Sequence, residues 1–387
     1  MRLEQIRVGE AQVVEEGDGR RLTFPVTQGQ TQTPVWFKVR NADAAPSGNA
    51  ALAIALVPAM RTARSLVLAD SLSPKLFRSQ EVIQRRFQDW DNRFNVVRIT
   101  APLGAPHQAS AGRTGLFFSA GVDSFFSLLR HREEITHLIV LRGFNIKQKQ
   151  VVDDLALPSI RVVAAQMNKT LVEVSTNIRE FSDRIVDWGL DYHGAALAAV
   201  ALLLAPTLNK VYVASTHSET DTFRWGSHQF LDPLYSTETL SLIHDGANAT
   251  RVEKVAAIAE NRLVQQTLRV CNKPGASNCG RCEKCLRTMI NLRVAGALEK
   301  VVTFDRNLRF NEVRLMRVRD ENKASFVSEN LTALRAKGVD DDLALALNEA
   351  LSRRYDKGWG RLEKRLIRGM NRFADWLPSR GASSSRG

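Results

Sequence analysis

The sequence predicts an α/β protein built on a parallel sheet, and three observations carry that reading. From residue 114 onward, short apolar runs alternate with helical stretches, the pattern of repeated βα units whose sheet is covered on both faces. One apolar strand runs straight into a helix through a turn of small residues, Ser119–Ser124. All four cysteines fall between Cys271 and Cys285, where the alternation ends. A chain of 387 residues leads us to expect two or three domains. Its 44% hydrophobic and 25% charged residues supply core material and exclude wholesale disorder, collagen-like and mucin-like classes.

Residues 1–110 read as a small α+β accessory domain. Leu22–Val26 and Val35–Val39 are β-like, Ala50–Ala69 and Pro74–Phe94 are helical, and Asn95–Ile99 is a strand. No motif there carries chemistry, which suits a structural or substrate-gating module. Ala101–Arg113 holds two prolines and two glycines and reads as a linker. The second domain, 111–297, has strands at Leu116–Ser119, His137–Leu141, Thr170–Ser175, Lys210–Ala214 and Leu240–His244. Its helices are expected at Val122–Arg130, Val151–Met167, Ile185–Leu204 and Thr250–Asn261. Ligands in such sheets bind beyond the carboxyl ends of the strands. The loops after Phe118, Leu141, Ser175, Ala214 and His244 are therefore the places to look. A helical region, 298–378, and a Ser/Gly/Arg-rich tail, 379–387, expected to be disordered, complete the chain.

The turn at Ser119, Ala120, Gly121, Val122, Asp123 and Ser124 leaves backbone N–H groups at a helix N-terminus, which together with the helix dipole make an anion cradle. Ser119 and Ser124 add hydroxyl donors, and Asp123 suits Mg²⁺ bridging phosphates. Neither a Walker A loop nor a dinucleotide fingerprint is present. An ordinary strand–turn–helix with a Ser/Asp cap is the alternative.

Cys271-x7-Cys279-x2-Cys282-x2-Cys285 supplies four soft ligands without an open position, which describes a structural zinc site. An iron–sulfur cluster is the other reading. Lys273, Arg281, Lys284 and Arg287 offset the charge of roughly −2 on Zn²⁺ with four thiolates.

Ser119, Gly121, Asp123 and Ser124 match the Ser-Gly-Gly-x-Asp-Ser pyrophosphate loop of the N-type ATP pyrophosphatases, with Ala120 in place of a glycine. That loop, the Cys-Gly-x-Cys-x2-Cys spacing and the segment Thr250-Arg251-Val252-Glu253 together resemble the 7-cyano-7-deazaguanine synthase family, over Arg113–Gly296. The resemblance implies a Rossmann-like, HUP-type sheet and ATP, Mg²⁺ and Zn²⁺ as cofactors. It implies a carbon–nitrogen ligase that adenylates a carboxylate, releases pyrophosphate, and lets ammonia or an amine displace AMP. In that scheme Asp123, Ser124, Arg251 and Lys254 act at the phosphates, the adenine lies near Gly143 and Phe144, and the enzyme is a homodimer. The stretch His217 to Tyr235 departs from the family's substrate segment. The acceptor is thus left open among a nucleobase, a small acid and a peptide terminus. A tRNA-modifying enzyme of the same superfamily and a non-catalytic zinc-containing adaptor for nucleic acid or protein are the rival readings.

Five further residues are candidates for the substrate side. His193, at a helix start, faces a ligand or caps the helix. His217, after the Lys210–Ala214 strand, is placed to donate to a phosphate or carboxylate. Arg224 suits a carboxylate, Trp225 stacks on a flat ring or packs as a buried anchor, and His228 lies beside them. His244-Asp245 reads as an oriented pair, a Mg²⁺ ligand or a tight turn.

The net charge is +13, and residues 351–387 hold ten Lys/Arg against three Asp/Glu. An apolar stripe at Trp359, Leu362, Leu366, Met370, Phe373 and Leu377 lies opposite those cations. It either docks on the protein or faces RNA or a membrane surface. No apolar signal segment opens the chain, and Ala195–Ala205, the longest apolar run, is about half of a membrane span. A soluble, cytoplasmic protein is expected.

Overall fold

A computed structural model describes residues 5–104, 112–144, 151–221, 223–271, 273, 277–318, 321–338 and 341–353. The basic stripe Trp359–Leu377, the tail 379–387 and most of the proline-containing linker lie outside the described residues.

The first stretch forms β1 (Gln5–Val8), β2 (Gln12–Glu16), β3 (Gly19–Gln28), β4 (Thr31–Arg40), α1 (Gly48–Arg61), β5 (Ser65–Leu68), α2 (Pro74–Trp90) and β6 (Ile99–Thr100). The single helix expected over Ala50–Ala69 is two elements. Ser47 caps α1 by accepting from the Ala50 amide at 3.2 Å. The helix stops because Ala63 takes φ 54, and the Arg64 amide turns back onto the Ala59 carbonyl at 3.0 Å.

The second stretch forms β7 (Thr114–Phe117), α3 (Val122–Arg130), β8 (Ile135–Arg142), α4 (Val151–Gln166), β9 (Thr170–Thr176) and α5 (Ile178–Ser182). A π-helical turn, Trp188–Tyr192, precedes α6 (His193–Leu203). Then come β10 (Lys210–Ala214), β11 (Ser241–Asp245), α7 (Arg251–Ile258), α8 (Arg262–Thr267) and α9 (Glu283–Val294). The helix expected from Ile185 thus starts late. Asp187 caps the π turn by accepting from the Leu190 amide at 2.7 Å, so Ile185 and Val186 stay outside it.

All these strands join one eleven-stranded sheet among the described residues, in the order β11-β10-β7-β8-β9-β4-β3-β1-β5-β6, with β2 beside β3. β7 to β11 are parallel. β5 is parallel to both β1 and β6, while β4 runs antiparallel to β9 and β3. The sheet therefore does not break near residue 110: Val39 on β4 lies opposite Val174 on β9. Met1–Asn307 form one compact unit and Leu308–Gly387 a second. In the latter, α10 (Phe310–Arg314), α11 (Glu321–Lys337) and α12 (Asp341–Ser352) pack through Val313, Leu334, Leu343 and Leu347.

The two faces of the sheet carry separate cores. Leu116 and Phe118 point to the face covered by α3, α4 and α7; Phe117 points to the face of α1 and α6. α6 is buried nearly all round, and its alanines let it lie close on alanine-rich α1. Within β7–β11 the first strand sits centrally, and the chain reverses direction of travel between β7 and β10. That switch point is where a doubly wound sheet opens a crevice.

Candidate functional site

The crevice is a cleft of about 410 Å³ at the carboxyl ends of β7, β8 and β10. The turn leaving β7 forms its floor. Ala120 adopts a left-handed φ of 57 and buries its methyl, so the chain can swing into α3 with Gly121 as the uncapped N-terminal residue. The Ser124 hydroxyl donates to the Gly121 carbonyl at 3.1 Å and accepts from the Ser119 amide at 3.3 Å. The Gly121 amide donates to Ser119 Oγ at 3.3 Å. Ser119, Gly121, Val122, Asp123 and Ser124 line the cleft, whereas Ala120 shapes the turn from beneath.

Arg251, Arg269, Lys284 and Arg287 line the same cleft, and Asp123 is the single carboxylate lining it among the described residues. Thr250 and Glu253 form a capping box that starts α7. This places Arg251 Nη1 at 2.5 Å from Asp123 Oδ2. One turn on, fully buried Lys254 lies 3.8 Å from Asp123 Oδ1 and donates to the Ser215 carbonyl at 2.7 Å. Burial alone would raise the Asp123 carboxyl, but Arg251 and Lys254 hold it below its ordinary range. Arg251 therefore reaches the cleft, while Lys254 acts from below it. Thr216, in the segment after the Lys210–Ala214 strand, also lines the cleft, as does Arg269, which went unread in the sequence. Lys284 and Arg287 were expected only as charge compensation for thiolates. Their three-residue spacing, which puts both on one side of a helix, was the available signal.

The four cysteine sulfurs lie within 4.8 Å of one another. Separations of 3.8 Å (Cys271–Cys282), 3.9 Å (Cys279–Cys285) and 3.4 Å (Cys282–Cys285) are close to the ~3.8 Å edge of a tetrahedron with Zn–S bonds of about 2.3 Å. The donor set and its spacing fit zinc. Asn278, fully buried, ties the loop together: its Oδ1 accepts from the Val270 and Cys271 amides at 2.9 and 3.1 Å. Its Nδ2 donates to the Leu268 carbonyl at 2.8 Å. Cys282 is the N-cap residue of α9, so the helix dipole favours its thiolate.

Gly143 takes φ 94, and a Cβ there would sit 2.0 Å from the Thr176 carbonyl oxygen, so close strand approach accounts for this glycine. Phe144 lines the cleft, edge-on to Trp188 at 4.8 Å, with its carbonyl held by Arg179 at 2.7 Å.

The remaining candidates gather beside the cleft around the β10–β11 connection. Trp225, half-buried, packs between His193 and His217, each ring centroid at 5.3 Å. His217 also meets Phe223 at 4.7 Å, and His228 meets Trp90 and Phe230 at 5.1 Å each. Burial lowers the pKa of His193 and His228 and brings His217 down to about 4. Arg224 pairs with Asp91, and its Nε lies 3.2 Å from Asp191 Oδ1, so internal acids occupy it where a substrate carboxylate was expected. Nor does Asp245 orient His244. His244 pairs with Asp232 at 2.7 Å, and Asp245 accepts from Ser127 at 2.6 Å and lies 2.9 Å from His131 Nε2.

Comparison with protein-family models, curated proteins and solved structures finds no match to this chain. No helix among the described residues is long and apolar enough to cross a membrane.

Proposed function

We propose that this chain is an ATP-dependent carbon–nitrogen ligase of the pyrophosphate-loop type, with a HUP-like nucleotide domain. The observation that carries the reading is the cleft at the sheet's switch point, lined by the α3 N-terminus, four cationic side chains and one carboxylate. Such a site has the charge and the amide donors for a polyphosphate. The apolar side of the cleft, with Ile139, Leu141, Phe144 and Val213, suits a flat base.

ATP would lie with its phosphates over Gly121–Ser124. Mg²⁺ arriving with it would be held by phosphate oxygens and Asp123, neutralising charge at the leaving group. A carboxylate oxygen of a small-molecule or peptide substrate attacks the α-phosphorus, and the bond to the β,γ-pyrophosphate breaks. Ammonia or an amine then attacks the acyl carbon, loses a proton, and expels AMP. The protein's share is positioning and charge neutralisation by Arg251, Arg269, Lys284 and Arg287. The zinc module is structural in this scheme. With all four cysteines in one cluster, none is left as the reactive thiol a tRNA-thiolating enzyme uses.

Incubation with ATP, Mg²⁺ and a panel of carboxylates plus ammonia is expected to release pyrophosphate and AMP. Asp123→Asn is expected to lower the rate by about 100-fold or more while the far-UV spectrum stays native. Failure to bind ATP, with no pyrophosphate from any carboxylate, refutes the reading.

A further inference from the structure

The cysteine module and the phosphate loop share one wall. Cys271 itself lines the cleft, two residues beyond Arg269. The Arg269 amide donates to the Ala120 carbonyl at 2.8 Å, stitching the module to the turn under the phosphate loop. On the far side Cys282 caps α9 and Cys285 lies in its first turn; Lys284 sits between them and Arg287 follows two residues later. Both cations line the cleft, and the Arg287 and Arg269 side chains are buried there. Four thiolates on one metal fix the first turn of α9. Without the ion the cysteines take up protons and nothing ties the four sulfurs together, so the turn carrying Lys284 and Arg287 loses its restraint.

We propose that the metal module forms the second wall of the polyphosphate site, with Arg269, Lys284 and Arg287 holding the phosphates against the α3 N-terminus, so that metal occupancy and polyphosphate binding are thermodynamically linked. This rests on the polyphosphate reading of the cleft. The cations stand between two anionic bodies, the thiolate-bound metal and the phosphates, and each body stabilises the arrangement the other needs. By reciprocity, the factor by which zinc raises polyphosphate affinity equals the factor by which polyphosphate raises zinc affinity.

The test titrates the full zinc-loaded chain to equilibrium with a chromogenic chelator, with and without saturating inorganic pyrophosphate as the probe. Pyrophosphate is expected to raise about 10-fold the chelator concentration that brings about half of the zinc release. Arg287→Gln and Arg269→Gln are expected to keep one zinc per chain and lose that protection. If those buried arginines prove necessary for folding, Lys284→Gln, on an exposed side chain, carries the same expectation. Pyrophosphate that binds by calorimetry but leaves zinc release unchanged overturns the linkage and leaves the ligase reading standing. A chain that binds neither pyrophosphate nor ATP overturns both.

Discussion

Single residues reveal the forces most directly where a residue type and its conformation disagree. Ala63 and Ala120 both sit at positive φ, 54 and 57, a region that costs an L-residue roughly 1–2 kcal/mol. Ala120 buries its methyl among Val122 and Phe125, so a glycine there relieves strain but leaves a small void. Ala63 is exposed and ends α1. Ala63→Gly is therefore expected to stabilise the chain by about 0.5–1 kcal/mol after the extra unfolded-state entropy is counted, seen as a higher urea midpoint. A second case is His217, buried beside Phe223 and Trp225, with Asp221, Asp123, Arg287 and Lys254 acting on it. Burial is the main cause of its fall from an ordinary 6.5 to about 4. Between those values the unfolded chain binds a proton that the folded chain refuses, so stability falls as pH drops from about 6.5 to about 4. Urea midpoints at pH 7, 6 and 5 should decline, and His217→Gln should flatten part of that slope. An equal slope in the variant would assign the decline to other groups.

At the scale of elements, α2 shows what holds the β10–β11 connection in place. Ser73 caps its N-terminus by accepting from the Leu76 amide at 3.2 Å, while its hydroxyl donates to Glu238 at 2.6 Å. Glu238 also accepts from the Lys75 amide at 2.8 Å, an anion on the positive end of a helix dipole. At the other end Asp91, the C-cap residue of α2, pairs with Arg224. The helix thus clasps the connection at both ends. Ser73→Ala removes a cap and one of the donors to Glu238, and is expected to cost about 1–2 kcal/mol in urea unfolding. A cost near zero would mean that Glu238 and water replace the hydroxyl. Elements of this kind were unevenly legible in the sequence. α3, α4 and the parallel strands follow from local periodicity, and the turn from β7 into α3 and the cysteine cluster from residue type and spacing. The break at Ala63 does not, because alanine is the strongest helix former and its residue type gives no sign of a left-handed turn. Arg269, an unremarkable cation in sequence, becomes a lining residue only because its backbone pairs with Ala120.

For the molecule as a whole, the join between residues 5–104 and the rest carries the greatest consequence. A proline- and glycine-containing segment announces a loop, but composition says nothing about whether the strands on either side share a sheet. Here they do: Phe37–Arg40 of β4 pair with Glu173–Thr176 of β9, and α1 covers α6 on the same face. The core on that face mixes both stretches, with Ile54, Leu56, Phe24 and Phe37 alongside Val172, Ala199 and Val200. A chain cut to residues 112–387 would therefore expose the β9 edge and the apolar side of α6 together. Open edges and large apolar patches are the two features that drive strand pairing and aggregation. Such a truncation is expected to be insoluble or to elute as large aggregates by size-exclusion chromatography, and supplying residues 1–111 in trans is expected to restore part of the soluble fraction. A monomeric, cooperatively folding 112–387 would instead mark the first stretch as a separable accessory domain whose sheet pairing adds little to stability.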